Sequence, residues 1–285
     1  MPISTLFYMK VDIRHLKEKD DILEESLDTL VDSPLNDKII FQGGGALHFI
    51  YSSPRYSSDV DFVDPSITED IQEYRNGLLN IGSKYNLNTA VIMKNQKGIR
   101  AKWGHIENSP NAKVEIEERA ADEYEKSKGR FNLLVKSPED IYTDKIFANI
   151  ARYVDRRAKA FELRSQGKPG FPFKPSDFFD LNYLKDELGV DPVPKERILN
   201  RARAYDKEDI VNYANLHDMM TMINDPDNHD FFRHQIEKTM MPDVFKVKKF
   251  DKAFFNSVSE HFEKYRDTFY GKTISLFEPK DNSLD

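Results

Sequence analysis

GGGALHFIYSSPRYSSDVDF, residues 43–62, sets three consecutive glycines ahead of two aspartates that stand one residue apart. KIIFQ (38–42), just before it, is expected to be a short apolar strand, and ALHFIY (46–51) a helix starting directly after the glycines. SSPRYSS is a loop, and DVDFV (59–63) alternates charged and apolar residues as a strand with one wet face does. Side chains at i and i+2 of a strand point the same way, so Asp59 and Asp61 share one face and Val60 and Phe62 the other. Two like charges that close repel unless a cation lies between them. Hard oxygen ligands favour magnesium or manganese. Gly43, Gly44 and Gly45 bring bare backbone N–H groups to a strand-to-helix junction, a natural anion site. Taken alone, the glycines read as a turn and the aspartates as a solvated face. Together, in this order, they are the equipment of metal-assisted phosphoryl or nucleotidyl transfer.

A third carboxylate is expected from a neighbouring strand. AKVEIEE (112–118) offers Glu115 and Glu117 on one face, with Val114 and Ile116 on the other. Glu115 is favoured because it sits between the two apolar residues; Glu117 stays open, and so does a plain charged outer face. TAVIMK (89–94) and GIRAKWGHI (98–106) read as two further strands. Residues 68–84 read as an amphipathic helix capped by Thr68, and residues 1–37 as helical, with Leu23, Leu27 and Leu30 at the 3.6-residue spacing. The sheet is expected to run largely as a meander.

The character changes near residue 136. SPEDIYTDKIFANIARYVDRRAKAFELR is strongly helical, with Ser137 as N-cap and Pro138 at the first helical position. SQGKPGFPFKPS is a Gly/Pro loop, DFFDLNYLKDEL another helix, and the rest is helical in composition with breaks at GVDPVPKE, NDPDNHD and MPD. The expected fold class is α+β, a mixed sheet with flanking helices over residues 1–135 followed by an all-helical domain over 136–285.

Composition narrows the chemistry. The 285 residues include 20 Phe and 13 Tyr, too many for a disordered chain, and carry a formal net charge of −7, which excludes a strongly basic nucleic-acid coat. With 0 Cys there is no disulfide, no Cys-ligated zinc and no thiol nucleophile. The 7 histidines show no HExxH spacing, and there is no GxxxxGK[ST] or GxGxxG. His48, after the glycines, reads as packing. The N-terminus lacks the apolar core of a signal peptide, and no stretch approaches ~18 apolar residues, so a cytoplasmic protein without membrane contact is expected.

The opening segment resembles the signature of the nucleotidyltransferase AbiEii/AbiGii toxin family, within the DNA polymerase β-like nucleotidyltransferase superfamily. That pattern is roughly Gly-Gly-Thr-Ala-Leu, a variable apolar stretch, then Arg-x-Ser-x-Asp-hydrophobic-Asp-Phe. Gly43, Gly44, Ala46, Leu47, Arg55, Ser57, Asp59, Asp61 and Phe62 match it, and Gly45 stands where Thr is common. The family's second signature is a lysine-bearing helix followed by an Asp-aromatic-aromatic-Asp-Leu segment. EDIYTDKIFAN supplies Lys145, and SDFFDLNYL supplies Asp177, Asp180 and Leu181, with Ser176 where Arg is common. The likeness covers about residues 38 to 185.

The resemblance implies a nucleotidyltransferase-like fold and a metal-dependent enzyme transferring NMP from NTP. Asp59, Asp61 and Glu115 would hold Mg2+ or Mn2+. Gly43, Gly44, Gly45, Ser57 and Lys145 would hold the triphosphate, and Asp180 would act as base or orient the acceptor or Lys145. Without the motif, Lys145 reads as a surface lysine on an amphipathic helix and Asp177 as a helix cap. In residues 152–174, Arg152, Arg156, Arg157 and Lys159 lie among aromatics, and KVKKFDK (246–252) is a second basic run. Basic groups hold phosphates and aromatics stack on bases, so an RNA end such as the tRNA 3′ end is the expected acceptor; a solvated helix face is the other reading. The family implies a toxin with a cognate antitoxin. A protein or small-molecule hydroxyl acceptor, and a non-catalytic nucleotide- or RNA-binding regulator, remain as alternatives.

Overall fold

The computed structural model describes residues 13–33, 35–57, 59–64, 76, 78–80, 83, 88–95, 98–104, 112–117, 124–127, 131–167, 170–237, 239–241 and 249–275. Thr68, most of the 68–84 helix and the lysines of KVKKFDK before Lys249 lie outside them; residues 76, 78–80 and 83 are described and helical. The chain forms two compact units. One comprises residues 1–121, 125–135 and 238–244, the other residues 122–124, 136–237 and 245–285.

The first unit is built on a mixed sheet. Its strands are β1 (Ile40–Gln42), β2 (Val60–Val63), β3 (Asn88–Asn95), β4 (Gly98–Gly104), β5 (Ala112–Glu117), β6 (Tyr124–Lys126) and β7 (Leu134–Lys136), in the order β3-β4-β5-β2-β1-β7-β6. The expected meander holds for β3-β4-β5, the antiparallel β1–β2 pair and the neighbours β6 and β7. β2 pairs parallel with β5, and β1 parallel with β7. Parallel partners need crossovers, so distant segments become neighbours in the centre of the sheet. That places β1, β2 and β5 at the centre, where Phe41, Val60, Phe62, Val114 and Ile116 share one buried face.

Besides the helical residues 76, 78–80 and 83, two helices are described in this unit. α1 (Ile13–Val31) buries Leu23, Leu27 and Leu30, the residues that share a stripe at helical spacing. α2 (Gly43–Phe49) begins on the first glycine and not after the third, so Gly43, Gly44 and Gly45 are its first turn. An isolated bridge joins Arg55 to Met240, which brings residues 238–244 back to this unit.

The second unit is helical: α3 (Pro138–Ser165), α4 (Pro175–Asp186), α5 (Lys195–Arg203), α6 (Tyr213–Asn224), α7 (Pro226–Glu237) and α8 (Lys252–Ser275). The Ser137 hydroxyl accepts from the Asp140 N–H at 3.2 Å, and Pro138 occupies the first turn, where a missing N–H costs nothing. Phe171, Phe173, Phe178, Phe232, Phe255 and Phe262 pack ring to ring in the core. Among the described residues, no helix is long and apolar enough to cross a membrane.

One buried histidine ties this unit together. The His261 Nε2–H donates to the Asn182 side-chain oxygen at 2.9 Å, and Nδ1 accepts from the Tyr142 hydroxyl at 2.9 Å. A single neutral tautomer satisfies both bonds. Burial, with a lesser push from Lys185, lowers its pKa to about 3. Between about pH 6.5 and that value the unfolded chain binds a proton that the folded chain refuses, so stability falls as pH falls. We expect about 2–3 kcal/mol to be lost through this residue between pH 7 and pH 4.5. Urea titrations of wild type and His261→Gln check it: the wild-type curve must drop more steeply over that window, and parallel curves would refute a neutral His261.

Candidate active site

Asp59 stands immediately before β2, and Asp61 lies within it. Val60 and Phe62, pointing the other way, are fully buried, which forces the two aspartates onto the opposite face. In the parallel pairing of β2 with β5, Asp61 is opposite Glu115. One oxygen from each of Asp59, Asp61 and Glu115 lies within 4.8 Å of the other two. Glu117 pairs in register with Val63, one step further along the strand face, and does not join this group. Gln42 faces Asp61 from β1.

The glycines abut these carboxylates. Gly43 has φ 73°, a left-handed conformation that side chains disfavour, and a Cβ on it would sit 3.4 Å from the Asp61 Oδ2. A Cβ on Gly45 would come within 3.0 Å of the Asp59 carbonyl oxygen and 3.1 Å of the Phe41 ring. The packing of Asp59 over α2 therefore suits glycine at the position where Thr is common. Gly44 is buried in the same turn. Ser57 donates its hydroxyl to the Asp59 carbonyl at 2.7 Å and fixes the turn that launches β2. His48 has Nε2 beside Asp20 at 2.9 Å and Nδ1 beside the Ser53 carbonyl at 2.8 Å, so it ties α1 to the loop after α2.

Among the described residues, Lys113, Arg100 and Lys19 bring positive charge to the carboxylates, and sequence reasoning missed them. Lys113 Nζ lies 2.9 Å from Asp59 and 2.5 Å from Glu115. Burial opposes its charge, but the bonds to Glu115 and Asp59 outweigh that and raise its pKa above the ordinary lysine value. Arg100, opposite Glu115 across the β4–β5 pair, contacts the other oxygen of the same carboxylate. Lys19 of α1 has its pKa lowered by burial first, and it feels the opposing fields of Asp59 and Lys113. Lys113 had a signal, since it shares the face of Glu115 by the two-residue period. Arg100 and Lys19 had none, because strand register and helix placement bring them there.

The helical unit places Lys145 in its interior, not on a surface face. Lys145 Nζ lies 2.5 Å from Asp177 and 2.7 Å from Asp180, and all three residues are buried. Asp177 lies inside the first turn of α4, whose N-cap is Lys174, so it is not the helix cap. Its second oxygen contacts Arg152. Burial works against the Asp177 charge, yet Lys145, then Arg152 and Lys174, hold its carboxyl well below the usual carboxylate range.

The basic stretch of α3 is partly consumed by the fold. Besides Arg152, Arg157 donates to the Asn215 side chain at 2.9 Å and Lys159 pairs with Glu162 at 3.0 Å. Tyr153 and Phe173 are buried and stacked on each other. Arg156 and Phe161 are exposed.

Comparison with known proteins follows this geometry. No curated protein matches in sequence. Among solved structures, JHP933 from Helicobacter pylori is similar with a TM-score of 0.47 and 15% identity, over 94% of this chain and 98% of that one. MenT4, a nucleotidyltransferase toxin from Mycobacterium tuberculosis, is similar with a TM-score of 0.46 and 14% identity, over 92% of this chain and 90% of that one. The family model for the nucleotidyl transferase AbiEii toxin, type IV TA system, matches residues 25–256, a span that takes in the carboxylates, the glycines and Lys145. On that match the chain belongs to the AbiEii nucleotidyltransferase toxin family.

Proposed function

We propose that the protein transfers a nucleoside monophosphate from an NTP to the 3′-terminal hydroxyl of a tRNA, in the cytoplasm, as the toxin of a toxin–antitoxin or phage-defence pair. The observation that carries this reading is the convergence of Asp59, Asp61 and Glu115 oxygens within 4.8 Å beside the open face of Gly43. Three carboxylates so close together favour a cation, and Lys113 already sits as one between two of them. An all-oxygen set of this kind fits Mg2+ or Mn2+. A divalent ion held by these residues supplies Lewis-acid polarisation of phosphoryl oxygens.

The chain's own residues would do the rest. Gly43, Gly44 and Gly45 are proposed to present backbone N–H groups to the phosphates beside Asp61, and Ser57 keeps Asp59 in place. Lys145 is proposed as a phosphate-binding lysine and Asp180 as the carboxylate that orients it. The acceptor oxygen forms a bond to the α-phosphorus while the bond from that phosphorus to the β-bridging oxygen breaks. Pyrophosphate leaves, and the hydroxyl proton passes to a carboxylate or to solvent. Support for an RNA acceptor comes from the exposed Arg156 and Phe161 in the segment that also holds Arg152, Arg157 and Lys159. The type IV description of the family supports a cognate antitoxin.

The test is incubation of purified protein with Mg2+, total tRNA and each α-labelled NTP, beside Asp59→Ala. Label on RNA with wild type alone is the expected result and names the base. Label on protein would replace the acceptor, and no label on any macromolecule would overturn the proposal.

A further inference from the structure

Lys113 is the residue in this site that its expected chemistry leaves unexplained. Its ammonium bridges Asp59 Oδ2 at 2.9 Å and Glu115 Oε2 at 2.5 Å, on two of the three carboxylates on which a divalent ion would depend. Arg100 takes the other oxygen of Glu115. We propose that Lys113 is the resident counter-ion of the carboxylate triad and that it trades those carboxylates for the phosphates of the nucleotide when a divalent ion binds, which makes it a nucleotide-binding residue. This rests on the reading of Asp59, Asp61 and Glu115 as metal ligands.

Magnesium sits about 2.0–2.1 Å from its oxygen ligands. An ammonium bonded to the same carboxylates would then lie only a few ångströms from a double positive charge, so the two cations oppose each other. Lys113 can leave without unfolding anything. Its side chain is 24% exposed, and it hangs on a flexible four-carbon stem from β5. Its Cα stays two residues from Glu115 on the same strand face, so the displaced ammonium remains beside the site. An incoming triphosphate brings the negative charge that it has just lost.

The exchange couples the two ligands. Bare metal must evict Lys113 with no replacement partner, whereas metal and nucleotide together leave every charge paired. Binding of each therefore strengthens binding of the other, by the same factor in both directions. Removing the lysine has effects of opposite sign: bare metal binds more tightly, and nucleotide binds less tightly once metal is present. A merely structural lysine would not split the two in this way.

The experiment measures Mn2+ binding by electron paramagnetic resonance in wild type, Lys113→Met and Arg100→Gln. It then measures binding of the four NTPs as α,β-methylene analogues at saturating Mn2+. The expected result is Mn2+ affinity roughly ten-fold or more higher in Lys113→Met than in wild type, exceeding any gain in Arg100→Gln, with analogue affinity lowered by a similar factor. Equal Mn2+ affinity in wild type and Lys113→Met would overturn the exchange while leaving the metal site standing. So would an equal gain in Arg100→Gln, which would mean a general field effect, or an unchanged analogue affinity. Absence of Mn2+ binding in all three would remove the metal reading and this proposal together. If Lys113→Met does not fold, acylation of wild-type lysines read by mass spectrometry decides: Lys113 must become more reactive when Mn2+ binds, and an unchanged reactivity with Mn2+ bound would overturn the exchange.

Discussion

Asp61→Asn lowers nucleotidyl transfer on the order of a thousand-fold or more while the protein stays folded. The loss matches the several kcal/mol of transition-state charge stabilisation that a Lewis acid contributes at such a site. Asp61 lies centrally: it is in register with Glu115 on one side and Gln42 on the other, and its Oδ2 is the atom nearest the open side of Gly43. Asn keeps the shape and one acceptor oxygen but removes the charge, so packing over the buried Val60 and Phe62 is undisturbed. Relief of repulsion among three carboxylates offsets the loss of pairing with nearby cations, and the melting temperature is expected to move by only a few degrees. The check is α-label incorporation beside circular dichroism of the same preparation. Near-wild-type transfer in a folded Asp61→Asn protein would remove the triad from the chemistry.

Lys145→Met is expected to cost about 3–5 kcal/mol of stability, the penalty for stripping the partner from buried charges. Asp180 is fully buried and loses a cation 2.7 Å away, and Asp177, 1% exposed, loses Lys145 and keeps Arg152. The pH dependence carries the sign. The Asp177 carboxyl is held well below its ordinary value, so its contribution is present above about pH 4 and is lost as pH falls toward its folded-state pKa. The gap between wild type and Lys145→Met must therefore be full at pH 7 and shrink on acidification below about pH 4. Urea melts at pH 7 and pH 3 measure it, and a gap that is small at pH 7 or grows at pH 3 would refute the pairing. Lys145→Met/Asp180→Asn removes a cation and an anion together and should recover part of the loss. For the reaction this means that an inactive Lys145 variant speaks to phosphate binding only when assayed well below its own melting temperature.

The elements that sequence made legible share one property: they depend on residues close together in the chain. The Asp59-Val60-Asp61-Phe62 alternation told which side chains share a face, because alternation is built into the covalent geometry of a strand. The Leu23, Leu27 and Leu30 stripe and the Ser137–Pro138 start of α3 were readable for the same reason. The glycine turn beside the carboxylates was readable too, although α2 begins on Gly43 itself, since glycine there serves its positive φ and its closeness to Asp61.

What escaped the sequence are partnerships across long chain separations. A meander was the natural reading of successive strands, but β2 lies parallel to β5 and β1 parallel to β7. That choice is made by burying Phe41, Phe62, Val114 and Ile116 together, a free energy that no local window contains. The β4–β5 register carries Arg100 to Glu115, the β2–β5 register brings Asp59 within reach of Lys113, and helix packing sets Lys145 between Asp177 and Asp180. The sequence by itself determined the carboxylates, the glycines and the faces they occupy. Tertiary structure alone decided which charges meet, because Coulomb energy depends on distance in space and the chain specifies only distance along itself.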